Sequence, residues 1–190
     1  MTKLNRKTKE TNIECIVDIN GSGKSSISTG IGFFDHMLEA MSKHSGIDIT
    51  LKCQGDLHID GHHSVEDCAI VLGKALKKEI FPIEKIERYS NCTIVMDEAA
   101  INCAIDLSNR GYLVYQVNVS GVLGTFDTQL AKEFFYALVI NCGITAHIIQ
   151  ERGQNKHHIL EGCFKAFGVC LRKALIKNEK LGVPSTKGIL

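Results

Sequence analysis

None of the eight cysteines stands in a CxxC pair. Cys15, Cys53, Cys68, Cys92, Cys103, Cys142, Cys163 and Cys170 lie apart, mostly inside apolar stretches, which speaks against a disulfide framework. They read as reduced core residues of a cytosolic protein. Charge of one sign is missing too: the formal net charge is +1, so no global field recruits nucleic acid or an anionic membrane, and a small anion would need a local cluster of donors. No apolar run approaches the length of a membrane span. The first residues, MTKLNRKTKETN, are polar and hold no apolar h-region, so they do not read as a secretory signal. The phosphate-binding loop is also incomplete. GSGKSS resembles its end, but Asp18 occupies the position of the leading Gly and no long helix follows, so NGSGK reads as a Gly-rich hairpin turn. What remains is a 190-residue chain, 44% hydrophobic and 23% charged, enough for one ordinary domain or two fused half-size units.

The chain then spells the same plan twice. ETNIECIVDIN alternates as a strand, with SSISTG as its expected hairpin partner. FFDHMLEAMSKH is helical, with Phe34, Leu38 and Met41 on one face, and Gly46 stops it. IDITLKCQG is a strand, and HSVEDCAIVLGKALKKEI a long helix with Val65, Ala69, Leu72 and Leu76 in register, closed by Pro82. The second part follows suit: CTIVMDEAAINCAIDLS and GYLVYQVNV as strands, TQLAKEFFYALVINC as a helix stopped by Gly143, ITAHIIQE as a strand, HHILEGCFKAFGVCLRKALIKN as a long helix. His36 precedes Gly46 by ten residues and Glu133 precedes Gly143 by ten; a His pair follows each Gly after sixteen and fourteen residues. Residues 1–92 and 93–190 therefore read as two half-repeats of one compact domain, with a pseudo-twofold site between them, and Glu133 falls where the first half has His36.

The repeated word is HHSVE at 62–66 and HHILE at 157–161. On a helix the first His and the Glu, four apart, share a face and can reach one cation. The second His lies about 100° round the axis and is aimed at another ion. One such word alone could be a solvated helix start. Two in matching places point to a two-metal site: His62, Glu66, His157 and Glu161 on one ion, His63 and His158 on the other, completed by His36 and Glu133. His44, His58 and His147 stand alone, and a lone His is more often structural. Imidazoles and carboxylates without thiolates, four per ion, leave two positions open on an octahedral ion, which suits Mn²⁺ or Fe²⁺ better than structural Zn²⁺ and marks the metal as catalytic.

FFDHMLEAMSKH, GDLHIDGHHSVED, MDEAA, DLSNRGYL, GITAHI, NKHHILEGCFKAFGVCLRKAL and PSTKG follow one another in this order. Together they closely resemble the imidazoleglycerol-phosphate dehydratase family, over essentially the whole chain. The resemblance implies an α+β fold of two duplicated βα half-domains, of the ribosomal protein S5 domain 2-like kind, with helices packed between mixed sheets. It implies a cytoplasmic lyase of histidine biosynthesis with two Mn²⁺ per active site, assembled as a cage of 24 identical subunits with active sites between them, and with neither nucleic acid nor membrane as partner. The family's first metal set falls on His62, Glu66, His157 and Glu161, its second on His36, His63, His158 and Glu133. Its substrate contacts fall on Glu10, His44, Arg88, Arg110, Ser185 and Lys187.

Those last positions make physical sense for a phosphorylated substrate. Two Arg forks and the hydroxyl, ammonium and backbone donors of PSTKG supply the local cluster that the net charge does not; either Arg alone would read as a surface charge. The implied reaction takes water from imidazoleglycerol phosphate to give imidazoleacetol phosphate. The proton to be lost from carbon is not next to a carbonyl. Two metals flanking the imidazole would favour its imidazolate, which could expel the neighbouring hydroxyl as a diazafulvene forms and so acidify the next C–H. Glu10 is the candidate acid/base, with His44 as helper. Two alternatives stay open at this level: a di-metal phosphate-ester hydrolase, and a non-catalytic metal-stabilised assembly, which would have no use for phosphate anchors.

Overall fold

A computed structural model of the chain describes residues 1–188. Two four-stranded mixed sheets carry the fold. The first is built from β1 (Thr2–Lys7), β2 (Thr11–Asp18), β3 (Ser25–Ser28) and β4 (Asp48–Gly55), in the order β1-β2-β4-β3. The second uses β5 (Tyr89–Met96), β6 (Ala99–Asp106), β7 (Tyr112–Gln116) and β10 (Thr145–Arg152), in the matching order β5-β6-β10-β7. In each, the third strand runs parallel to the last while the other pairings are antiparallel. Helices α1 (Gly32–Ser45) and α3 (Leu130–Cys142) make the crossovers, and α2 (His62–Ile80) and α4 (Lys156–Ala174) close the halves.

This topology corrects the expected hairpin. SSISTG does not pair with ETNIECIVDIN; β3 pairs in parallel with β4, Ser25 opposite Ile49, and α1 is the connection between them. Parallel strands need a crossover of a dozen residues or so, and α1 supplies it, while the NGSGK segment is tied to the start of β4, where Asp48 Oδ1 accepts the Ser22 and Lys24 N–H groups. The polar opening residues are also a strand, β1, whose alternation of half-buried and exposed positions lies beneath a run of Lys, Asn and Arg. Strand β5 begins at Tyr89, so the point 92/93 falls inside it; Tyr89, Ser90 and Asn91 are polar enough to read as loop, yet they pair with Asp106, Ile105 and Ala104. A small hairpin, β8 (Val122–Leu123) with β9 (Phe126–Asp127), is inserted in the second half alone.

The helices cross the halves. α2 lies on β2 and packs along α3, and α4 lies on β6 and packs along α1, so each closing helix meets the crossover helix of the other half. The crossing is set by two glycines, each eleven residues after the first His of its pair. A Cβ on Gly73 would meet the Leu138 carbonyl at 2.7 Å, and one on Gly168 the Met41 carbonyl at 2.8 Å. Only hydrogen in place of a side chain permits this approach. Between the sheets the core is continuous, with Phe34, Phe126, Phe134, Phe135, Phe164 and Phe167 fully buried. Both crossover helices end on a glycine in the left-handed region, Gly46 at φ 74° and Gly143 at φ 80°. None of the eight cysteines is in a disulfide, and all but the half-buried Cys92 are buried. No helix among the described residues is long and apolar enough to cross a membrane.

Candidate active site

Both histidine pairs sit on the first turn of a closing helix, and the residue two before each pair holds them there. Asp60 Oδ1 accepts the backbone N–H of His62 (2.8 Å), and Asn155 Oδ1 that of His157 (2.9 Å). From there α4 presents His157 and Glu161 to α1, which brings His36. The ligand atoms of His36, His157 and Glu161 all lie within 4.8 Å of one another, the one such group of three among the described residues. His157 Nε2 is 2.9 Å and His36 Nε2 3.6 Å from Glu161 Oε2. Phe33, on the same turn of α1, meets the His157 ring edge-on at 5.2 Å.

Within the chain this grouping differs from the one expected from spacing, in which His36 stands with His63, His158 and Glu133. His36 joins His157 and Glu161, and not His63 and His158, because α1 packs on α4. By the same crossing Glu133 rides on α3 against α2, the helix of His62 and Glu66. The latter two stand 3.8 Å apart, and Glu133 is half-buried beside Thr128 and Gln129. His63 and His158 point elsewhere, each turning Nδ1 to a carboxylate that the sequence reading did not single out: Asp56 Oδ2 at 2.9 Å and Glu98 Oε2 at 2.8 Å.

The electrostatics follow from these contacts. Glu161 is buried, which raises its carboxyl, but Lys165 at 2.7 Å, His157 and His36 outweigh that and leave it below the usual range. Glu98 is held down to about 2 by His158 and by the backbone N–H groups of Asn155 and Gln154. His44, half-buried in the last turn of α1, is pushed down by burial and by Lys165 and Arg172, so it stands as a neutral imidazole at neutral pH. Glu10 is exposed in the turn before β2, 3.9 Å from His63 Nε2.

The predicted phosphate residues gather away from the histidines. Arg88, Arg110, Ser185 and Lys187 line one open cleft of about 790 Å³, none of whose lining residues is a histidine. Arg88 is buried and largely committed: Nε and Nη2 donate to the Asp106 carboxylate at 2.7 and 3.1 Å, and Nη1 to the Pro184 carbonyl at 2.6 Å. It thus pins the tail that carries Ser185 and Lys187, whereas Arg110 is exposed.

Residues 29–171 match the family model described as imidazoleglycerol-phosphate dehydratase. The chain belongs to that family. Curated members of this name from Aliarcobacter butzleri and Campylobacter fetus are 68% and 59% identical over 190 residues, the whole of both chains in each comparison. Crystal structures of the dehydratase from Staphylococcus aureus and from Pyrococcus furiosus are each 37% identical, with TM-scores of 0.82 and 0.84, covering 94% and 98% of this chain and all of theirs. The similarity extends beyond the matched model to β1, which carries the strand before Glu10, and to the tail around Ser185 and Lys187.

The donor set fits a divalent cation. Two imidazoles and one carboxylate converge, no thiolate is near enough to join them, and three protein donors leave positions open on a six-coordinate ion. Sequence reasoning missed Asp56, Glu98 and Lys165. The equivalence of Glu98 with Glu10 appears only through strand pairing, and Asp56 and Lys165 match no like residue in the other half, so all three are revealed only in three dimensions.

Proposed function

We propose that this chain dehydrates imidazoleglycerol phosphate to imidazoleacetol phosphate in histidine biosynthesis, in the cytoplasm, using two Mn²⁺ per active site in a cage of 24 subunits. The observation that carries the reading is the convergence of His36 with His157 and Glu161, drawn from both halves of a duplicated chain of this family. His36, His157 and Glu161 would hold one ion; His62 and Glu66, with Glu133 from the adjoining helix, would hold the other. His63 and His158, turned away from both groups of their own chain, complete the sites of neighbouring subunits. When bound, the two cations supply positive charge at the substrate's imidazole and lower its N–H pKa.

The chain's own residues do the rest. Arg110, Lys187 and the Ser185 hydroxyl take the phosphate, on a tail that Arg88 fixes in place. Holding the phosphate at one end and the ring at the other stretches the glycerol chain between them and limits which C–H faces the protein. Glu10, exposed in the turn before β2, receives the proton from carbon. His44, neutral beside Lys165, can take the proton that the substrate's imidazole N–H gives up and pass it to the hydroxyl, which leaves as water.

The test uses apoprotein prepared by chelation and reloaded with Mn²⁺, offered imidazoleglycerol phosphate and, separately, p-nitrophenyl phosphate. Formation of imidazoleacetol phosphate only after reloading is expected. Release of inorganic phosphate from both compounds would replace the reading with a hydrolase. A metal that stays until unfolding, with turnover of neither compound, would replace it with a structural ion.

A further inference from the structure

The pseudo-twofold register identifies what stands opposite each acid near the histidines. Asp18 pairs with Asp48, two residues after Gly46, and Asp106 pairs with Thr145, two residues after Gly143. Asp18 and Asp106 are therefore equivalent, and eight residues earlier so are Glu10 and Glu98. Equivalent positions would be expected to do equivalent work, and here they do not. Glu98 Oε2 accepts Nδ1–H of His158 at 2.8 Å, while Oε1 accepts the backbone N–H groups of Asn155 (2.8 Å) and Gln154 (3.1 Å) at the start of α4. Glu10 makes no such contact with His63 Nδ1. That place is taken by Asp56 at 2.9 Å, from the end of β4, and Glu10 lies instead on the Nε2 side of the ring at 3.9 Å. The second half has no acid to match Asp56: the loop after β10 is two residues shorter and reads Gly153–Gln154.

We infer that Asp56 and Glu98 are the positioning carboxylates of the two metal histidines His63 and His158, and that Asp56, by taking this task in the first half, releases Glu10 for the substrate. This rests on the two-metal reading. A carboxylate on Nδ1 keeps the proton on that nitrogen, so that Nε2 carries the lone pair, and it holds the ring plane; such a partner is usually conserved in effect with the ligand itself, since its loss weakens metal binding about 10–100-fold. The arrangement also explains why only one of two equivalent, exposed glutamates has its carboxylate uncommitted. Glu98 has both oxygens in use, and a proton abstracted by it would have to displace His158 or the helix start. The duplicated scaffold thus offers one free carboxylate per chain, from the first half.

The two positions differ in how they answer to amide substitution, and the difference separates positioning from simple packing. Glu98 needs two acceptor oxygens, so Glu98→Gln keeps one for the backbone of Asn155 and turns an NH₂ to His158 Nδ1. That favours the tautomer with the proton on Nε2, which cannot ligate. Asp56 has one oxygen on His63 and the other buried without a partner, so Asp56→Asn can keep its oxygen on the ring. The intact chelated assembly is titrated with Mn²⁺ alone at fixed pH, free Mn²⁺ being read by its electron paramagnetic resonance signal, and apo melting temperatures are recorded in parallel. Glu98→Gln and Asp56→Ala are expected to weaken one of two Mn²⁺ per chain about 10–100-fold, with Asp56→Asn close to the parent and all three folded. The inference is overturned if Glu98→Gln and Asp56→Ala bind both ions like the parent, or if their losses only track a fall in apo melting temperature. His157→Ala runs alongside as control: if it too keeps both ions, the two-metal reading itself has failed, whereas loss there and none at Asp56 and Glu98 removes this inference alone.

Discussion

Glu161 and Glu66 occupy the same place in the two copies of the repeated word, yet one is buried against two imidazoles and the other is exposed on its helix. His157 stands 2.9 Å from Glu161, and His62 stands 3.8 Å from Glu66. The helix crossings beneath them are alike, down to the glycine that lets each pair of helices approach. The difference lies one turn further on. Lys165 holds Glu161 Oε1 at 2.7 Å and turns the carboxylate inward; the equivalent residue in the first half is Ile70, which offers Glu66 nothing. A duplicated backbone therefore fixes where two His–Glu sets stand, and single side chains decide how far each is gathered.

The largest effect that tests this comparison is removal of the first His of either pair. His157→Ala and His62→Ala should each lower turnover on the order of a thousandfold and release about one Mn²⁺ per chain, measured by initial rates and by metal analysis of the desalted protein. If the two crossings carry separate ions, the two variants lose different ions, and the double variant loses both. Retention of both ions in either single variant would break the pairing of α1 with α4 as the basis of one site.

A smaller, structural effect falls on the crossings themselves. Gly168→Ala and Gly73→Ala each set a Cβ at 2.7–2.8 Å from a carbonyl of the facing helix and should cost about 1–3 kcal/mol in unfolding free energy. Gly168→Ala pushes His36 from His157 and should weaken Mn²⁺ binding as well, while Gly73→Ala should spare that set. Equal metal affinities in the two variants would show that the sets are not tied to separate crossings.

The C-caps separate the halves more finely. Gly46 and Gly143 have nearly the same φ, so alanine should cost about 1 kcal/mol at either from the backbone alone. Around Gly143 the added Cβ would also meet Asn109 backbone at 3.1 Å, whereas at Gly46 the nearest atom is Arg172 Cδ at 4.0 Å. Chemical denaturation should therefore rank Gly143→Ala as the more destabilising by about a further 1 kcal/mol.

The smallest effect is a pH dependence confined to one half. Asp48 accepts the backbone N–H groups of Lys24 and Ser22 at 2.7 and 2.8 Å, which hold its carboxyl below the ordinary value. Its equivalent Thr145 reaches the Arg110 carbonyl through a hydroxyl that does not titrate in this range. A depressed carboxyl contributes stability that is complete above its unfolded pKa and is lost as pH falls through the folded one. Amide exchange at residues 22–24 should quicken below about pH 4, with residues 109–111 unchanged; Asp48→Asn should abolish the dependence.

Much of this was legible in the residues. The apolar spacing of Phe34, Leu38 and Met41, and of Val65, Ala69, Leu72 and Leu76, marked buried helix faces, and all seven are buried. The glycine stops at 46 and 143 and the twin His pairs gave away the duplication. β1 was hidden because an edge strand facing solvent on one side can be written in Lys, Arg and Asn. The partner of β3 was hidden because a short strand carries no mark of its neighbour: only the crossover through α1 sets the pairing.

By itself, the sequence determined the repeat, the helix faces, the two ligand words and the residue types a divalent cation accepts, because each is local: a period, a cap or an i,i+4 spacing needs no knowledge of what packs against it. Which ligands meet was decided only in three dimensions. His36 joins His157 and Glu161 across 121 and 125 residues of chain because two glycines let helices of opposite halves close to contact, and no spacing along the chain encodes an approach between elements that far apart.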